Sequence, residues 1–159
     1  MNRKLIRTSL IAIAILVSLA GPTAARDQVR FKGSLSAAAT VTPLTPPFAS
    51  VLIEGTGNAT QLGAFTVEIP HLVNQATRIG TGTYVFTAAN GDTLTADFSG
   101  LATLVGPGVL SVSESGVITG GTGRFAGATG SFTTERTFFV TTGVTTGSFE
   151  GTISSVGQG

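Results

Sequence analysis

The sequence predicts an all-β domain, a closed eight-stranded antiparallel β-barrel, and three observations carry that expectation. Apolar and polar residues alternate with period two along segment after segment, turn signals separate the segments, and the chain is poor in charge but rich in Thr, Ser, Gly and Phe. Charged residues make up 11% of the chain and glycine fills 22 of its 159 positions, a balance that favours strands and turns over helices. Eight strands spaced by about seventeen residues exceed what a flat open sheet needs, and closure removes the exposed edges that invite aggregation. A two-sheet β-sandwich is the alternative architecture.

The chain opens with Arg3, Lys4 and Arg7, continues through the charge-free apolar run Leu10 to Ala20, and then offers the small residues Gly21-Pro22-Thr23-Ala24-Ala25. This is the pattern of a secretory signal peptide over residues 1–25, with cleavage expected after Ala25 and a secreted or periplasmic product. The apolar run falls well short of the roughly twenty residues a spanning helix needs, so no stable membrane anchor is expected once it is removed. Residues 26–159 carry six Lys/Arg and eight Asp/Glu, a net charge of −2. Without a basic stripe for phosphates, nucleic-acid binding is not expected. The chain has no cysteine, which excludes a disulfide framework and leaves a single domain, 28–155, to be held by its core.

The first strand is expected over Gln28 to Thr40, where Val29, Phe31, Gly33 and Leu35 alternate with Arg30, Lys32 and Ser34. The proline-rich Thr42 to Pro47 should end it. Residues 49–56 and 62–70 follow as strands, with Gly55-Thr56-Gly57-Asn58 read as the turn region between them and Asn58 as a turn residue rather than a glycosylated one. Pro70 to Gln75 reads as a loop carrying a solvated His71, the sole histidine. A lone histidine without cysteine or a carboxylate cluster cannot assemble a metal site, so neither metal nor cofactor is expected. Gly82–Ala88 and Thr93–Gly100 should form a hairpin on a type I′ turn at Asn90-Gly91. Tyr84, Phe86, Leu94, Ala96 and Phe98 share its apolar face. Val109–Thr119, Ala128–Thr141 and Thr145–Ser155 complete the set.

The most informative stretch is Ile118-Thr119-Gly120-Gly121-Thr122-Gly123-Arg124-Phe125-Ala126-Gly127-Ala128-Thr129-Gly130. Gly121 to Ala126 matches the G-x-G-x-x-G/A of a dinucleotide-binding turn, but the following Ala128 to Thr134 is rich in glycine and β-branched residues where the pyrophosphate would need a helix. The structural reading makes Gly120, Gly121, Gly123, Gly127 and Gly130 an irregular connection between two strands, with Phe125 folded back as a plug over one barrel end.

That stretch resembles the GGTGxFxGAxG segment of the allene oxide cyclase and dirigent barrel superfamily, and Gly55 to Thr66 resembles its uncharacterised bacterial secreted branch, so the resemblance extends over residues 28–155. It implies a calycin-like eight-stranded barrel whose characterised members isomerise or couple hydrophobic small molecules in a central cavity, and homo-oligomers as the form of assembly. No family catalytic residue maps onto a numbered position of this chain.

Two charges interrupt otherwise apolar faces: Glu114, in line with Leu110, Val112 and Ile118, and Arg136, in line with Phe132, Phe138 and Val140. Buried and unpaired, either would cost several kcal/mol. They are expected to pair across neighbouring strands, directly opposed only if their register numbers sum to 250. A polar pair in an apolar cavity makes Arg136, Glu114 and Tyr84 the candidate ligand-binding residues; a structural ion pair is the other reading. Function therefore stands between a barrel that binds an apolar small molecule, a structural or surface-interaction protein with a filled barrel, and an isomerase-like enzyme.

Overall fold

The computed structural model describes residues 26–154, so the expected signal peptide and its cleavage site lie outside the described residues. Eight strands form one closed antiparallel barrel: β1 (Gln28–Pro43), β2 (Phe48–Ala59), β3 (Gly63–Asn74), β4 (Ile79–Ala88), β5 (Thr93–Gly106), β6 (Val109–Gly121), β7 (Gly130–Phe139) and β8 (Val144–Ser154). Each strand pairs with its neighbours in sequence, and β1 returns to β8 with Gln28 opposite Ser154 and Ala38 opposite Val144. Closure leaves no ladder edge open, which the two-sheet alternative would not achieve.

Several local expectations are corrected by the register. β1 runs on to Pro43, which pairs with Ala49; a proline is tolerated at a strand end, and the connection is only Leu44 to Pro47. Gly55 to Asn58 lies within β2, where Asn58 sits between Ser34 and Ala64. The turn falls at Thr60 to Leu62, with Gln61 at φ +67°. Gly57 is there for space: a Cβ on it would come within 2.3 Å of the Phe65 ring. The supposed loop Pro70 to Gln75 is mostly strand, since β3 continues to Asn74. Pro70 lacks the donor that β4 would need, and the β3–β4 ladder lapses after Glu68 and resumes at His71. The β4–β5 connection has four residues, Ala89 to Asp92, and only Gly91 takes positive φ, so it is not a two-residue type I′ turn. Asn90 instead braces Asp92 through both its backbone and its carboxylate.

Inward positions grade in size along the barrel. Toward the end that carries the β2–β3, β4–β5 and β6–β7 connections, Phe31, Phe65, Phe86, Phe132 and Phe149 fill the section with ring centroids 5.0 to 6.2 Å apart. Most meet edge-on or tilted, the favoured geometries of aromatic pairs. Toward the other end small residues, Ala39, Ala49, Gly80, Gly100 and Ala102, take several of the inward positions. Side chains of that size cannot meet across an eight-stranded barrel. One half is packed and the other is hollow.

Candidate ligand-binding site

The hollow half is a cavity of about 340 Å³, open at the end where β1–β2, β3–β4, β5–β6 and β7–β8 connect. Its walls are apolar, with Val51, Ile53, Val73, Leu110, Val112 and Phe138 among them, and Glu114 and Arg136 face into it. Both charged side chains are almost fully buried, 3% and 4% exposed.

The pair forms diagonally. Glu114 lies opposite Thr134 and Arg136 opposite Val112, so the register sum is 248 rather than the 250 of direct opposition. Diagonal neighbours are still within reach of long side chains. Arg136 Nη2 donates to Glu114 Oε1 and Nε to Oε2 at 3.1 Å, which makes the pair bidentate, while Nη1 donates to Thr145 Oγ1 at 3.1 Å. Tyr84 completes the group by donating its hydroxyl to Glu114 Oε2.

Two residues absent from the sequence-based candidates hold this geometry. Gly100 of β5 stands opposite Glu114, and Gly147 of β8 stands opposite Arg136. A Cβ on Gly100 would come within 2.4 Å of Glu114 Cγ, and one on Gly147 within 2.6 Å of Arg136 Cγ. The charged stems therefore lie down over bare backbone. The sequence signal is an inward glycine on the strand flanking each charge, and it becomes readable only once the register is known.

The electrostatics follow from burial and neighbours. Desolvation opposes the Arg136 charge, but the Glu114 carboxylate outweighs it and the guanidinium pKa is raised. Burial first, and the Glu114 charge second, push the Tyr84 phenol far above its ordinary range, so it stays a neutral donor. Arg136 engages three of its five donors in these bonds. Thr134 Oγ1, fully buried beside the pair, has no hydrogen-bond partner. Of the three candidates, Arg136 and Glu114 line the cavity and Tyr84 does not; it is fully buried behind the carboxylate and reaches the cavity only through it.

His71 is the residue that sequence reasoning misplaced. With β3 extended past Pro70, position 71 falls on the inward phase, and the ring is half-buried in the cavity wall, edge-on to Phe98 at 5.6 Å. Its Nδ1 lies 2.9 Å from the Ile69 carbonyl. A carbonyl only accepts, so that nitrogen carries the proton, and Nε2 of the neutral ring is an acceptor. Desolvation lowers its pKa. Among the described residues no group of three or more His, Cys, Asp or Glu is placed to hold a metal ion.

The glycine-rich loop lies at the opposite, packed end. Gly123 to Phe125 makes one 3-10 turn before the chain enters β7 at Gly130, which is too short to offer a phosphate the amide array of a helix N-terminus. Phe125 is fully buried, and the Arg124 guanidinium lies over its ring at 4.8 Å. Asp92 Oδ2 accepts the Arg124 backbone N–H at 3.2 Å, and Arg124 Nη2 donates to the Leu62 carbonyl at 3.2 Å. Gly123 has φ +53°, and a Cβ there would meet the Asp92 carboxylate at 1.9 Å. Gly120, Gly127 and Gly130 also take positive φ, while Gly121 packs against the Thr93 carbonyl.

No protein-family model matches the chain, and no curated protein matches it. Solved structures do. The pterocarpan synthase dirigent protein GePTS1 superposes with a TM-score of 0.58 at 14% identity, over 91% of this chain and 100% of that one. The pterocarpan synthase dirigent protein PsPTS1 gives 0.55 at 11% identity, over 82% and 97%. At these identities the likeness is one of fold, and the fold is a dirigent-type eight-stranded barrel.

Proposed function

We propose that this chain is a secreted or periplasmic barrel protein that binds a small, largely apolar molecule in the open half of the barrel. The observation that carries the reading is the cavity of about 340 Å³, whose lining is mostly apolar, with Glu114, Arg136 and His71 on its wall and Gln75 and Arg78 as its other polar residues. Concave, mostly apolar pockets with a few convergent polar groups are the usual form of small-molecule sites. The uncommitted N–H groups of Arg136 suit an acceptor on the ligand, and His71 Nε2 suits a donor. Tyr84 acts from behind, fixing the carboxylate so that the guanidinium keeps one orientation. The test is amide chemical-shift mapping on residues 26–159 with N-phenyl-1-naphthylamine, an uncharged apolar dye. Shifts should concentrate at Val51, Ala102 and Val112 and spare Phe31 and Phe149. An absence of shifts, or shifts confined to the packed end, would overturn the reading.

His71 favours one second reading, an isomerase-like activity in the cavity. A neutral imidazole with an acceptor nitrogen on an apolar cavity has the form of a general base. That reading requires a bound molecule to be chemically altered, and mass spectrometry of the ligand recovered after incubation would decide it: an unchanged mass and retention time excludes turnover.

A further inference from the structure

The cavity mouth sits inside a ring of exposed apolar side chains. Leu44, Phe48, Leu104, Val105, Phe139 and Val140, from three of the four connections at this end and the strands entering them, are all solvent-exposed, with Val105 at 61% and Val140 at 54%. Ile79 and Leu101, paired across β4 and β5, continue the apolar surface down one side. Contiguous apolar surface of this kind marks a contact site.

Charge is distributed just as unevenly. In the segments that build the open end, 38–52, 70–82, 99–113 and 137–146, the one Lys, Arg, Asp or Glu is Arg78. The rest of the described surface carries Arg26, Arg30, Lys32 and Arg124 against seven acidic residues, a net −3 once the buried Glu114–Arg136 pair is set aside. Arg78 lines the cavity mouth beside Ile79 and makes no salt bridge among the described residues. Its backbone is held at φ +60°, an unfavourable region for a residue with a side chain, by a turn in which Asn74 accepts the Ala76 and Thr77 amides through Oδ1 and the Arg78 amide through its carbonyl.

We propose that the open end is a docking surface for an anionic lipid bilayer, with the apolar rim seated among the acyl chains and Arg78 on a headgroup phosphate. An apolar rim with a cation and no carboxylate matches such a surface, while the net negative remainder of the barrel is repelled from it and sets the orientation. Below the rim the outward positions turn polar, with Ser113 and Ser115 on β6 and Ser131, Thr133 and Glu135 on β7, so the contact is shallow and does not span. A second copy seated mouth to mouth would seal the cavity and bring two Arg78 side chains together. If the cavity binds an apolar molecule, which rests on the function proposed above, the ligand passes directly between bilayer and barrel.

The test is co-sedimentation of residues 26–159 with vesicles of phosphatidylglycerol and phosphatidylcholine. The barrel closes on itself within 28–154, so this segment contains every strand pairing. Binding is expected to anionic vesicles, to fall with added salt, and to weaken about tenfold or more with Arg78→Glu. Phe139→Ser with Val140→Ser should abolish it, and Arg30→Glu at the packed end should leave it unweakened. All these positions are exposed, and matching thermal melts verify the fold. Binding that ignores Arg78 and the rim, or no binding at all, overturns the proposal. So does self-association that the same rim variants remove in the absence of vesicle binding. N-phenyl-1-naphthylamine binding without vesicles is read separately. Dye bound and vesicles refused sinks only the docking, whereas vesicles bound and dye refused supports the docking and sinks the ligand reading.

Discussion

Glu114 and Arg136 show what a buried ion pair requires of its surroundings. Removing one partner leaves an uncompensated charge in the core, so Glu114→Ala should destabilise by about 3–5 kcal/mol, with Glu114→Gln milder because an acceptor remains. Adding Arg136→Met to Glu114→Ala should recover much of that loss in urea unfolding, and strictly additive losses would contradict the pairing. The two charges were readable because each breaks an alternating apolar face. Their diagonal geometry was not, since the irregular loop between β6 and β7 hides the register, and with it the roles of Gly100 and Gly147. His71 makes a second residue-scale prediction. Its pKa is held below the ordinary 6.5 by burial, so between the two values the unfolded chain binds more protons than the folded one. Stability therefore falls as pH drops below about 6.5 and levels only below the folded pKa. His71→Gln should flatten that part of the profile relative to the parent chain, and parallel profiles from pH 7.5 to 5 would contradict the assignment.

At the scale of elements, the glycine-rich connection and the β4–β5 turn form one unit, because Asp92 of the turn fills the space that the missing side chain of Gly123 leaves. Phe125 lies fully buried beneath it. Phe125→Ala should cost about 3–5 kcal/mol by the usual cost of emptying an aromatic core site. A loss within about 0.5 kcal/mol, as at an exposed site, would contradict the plug. Strand existence was readable from period two, and strand ends were not. Pro70 has the look of a strand terminator, yet it costs only a lapse in one ladder, because its outward-facing place on β3 leaves the inward phase of Ile69, His71 and Val73 intact. His71 reaches the cavity wall through that intact phase.

For the molecule as a whole, closure was readable from the count of alternating strands, whereas the division into a packed and a hollow half was not, because inward positions fall into layers only once the register is known. It arises from a gradient: β5 passes from Phe98 to Gly100 and Ala102, and β4 from Phe86 and Tyr84 back to Gly82 and Gly80. The central claim is that this gradient builds a ligand site rather than an idle void. The most direct measurement is a fluorescence titration of N-phenyl-1-naphthylamine into residues 26–159 and into the same segment carrying Ala102→Trp, which fills the hollow half from its wall. Saturable single-site binding by the parent chain, weakened at least about tenfold in the variant while its melting temperature stays within a few degrees, is the result predicted. Equal binding by the two proteins, or none by the parent, would contradict it.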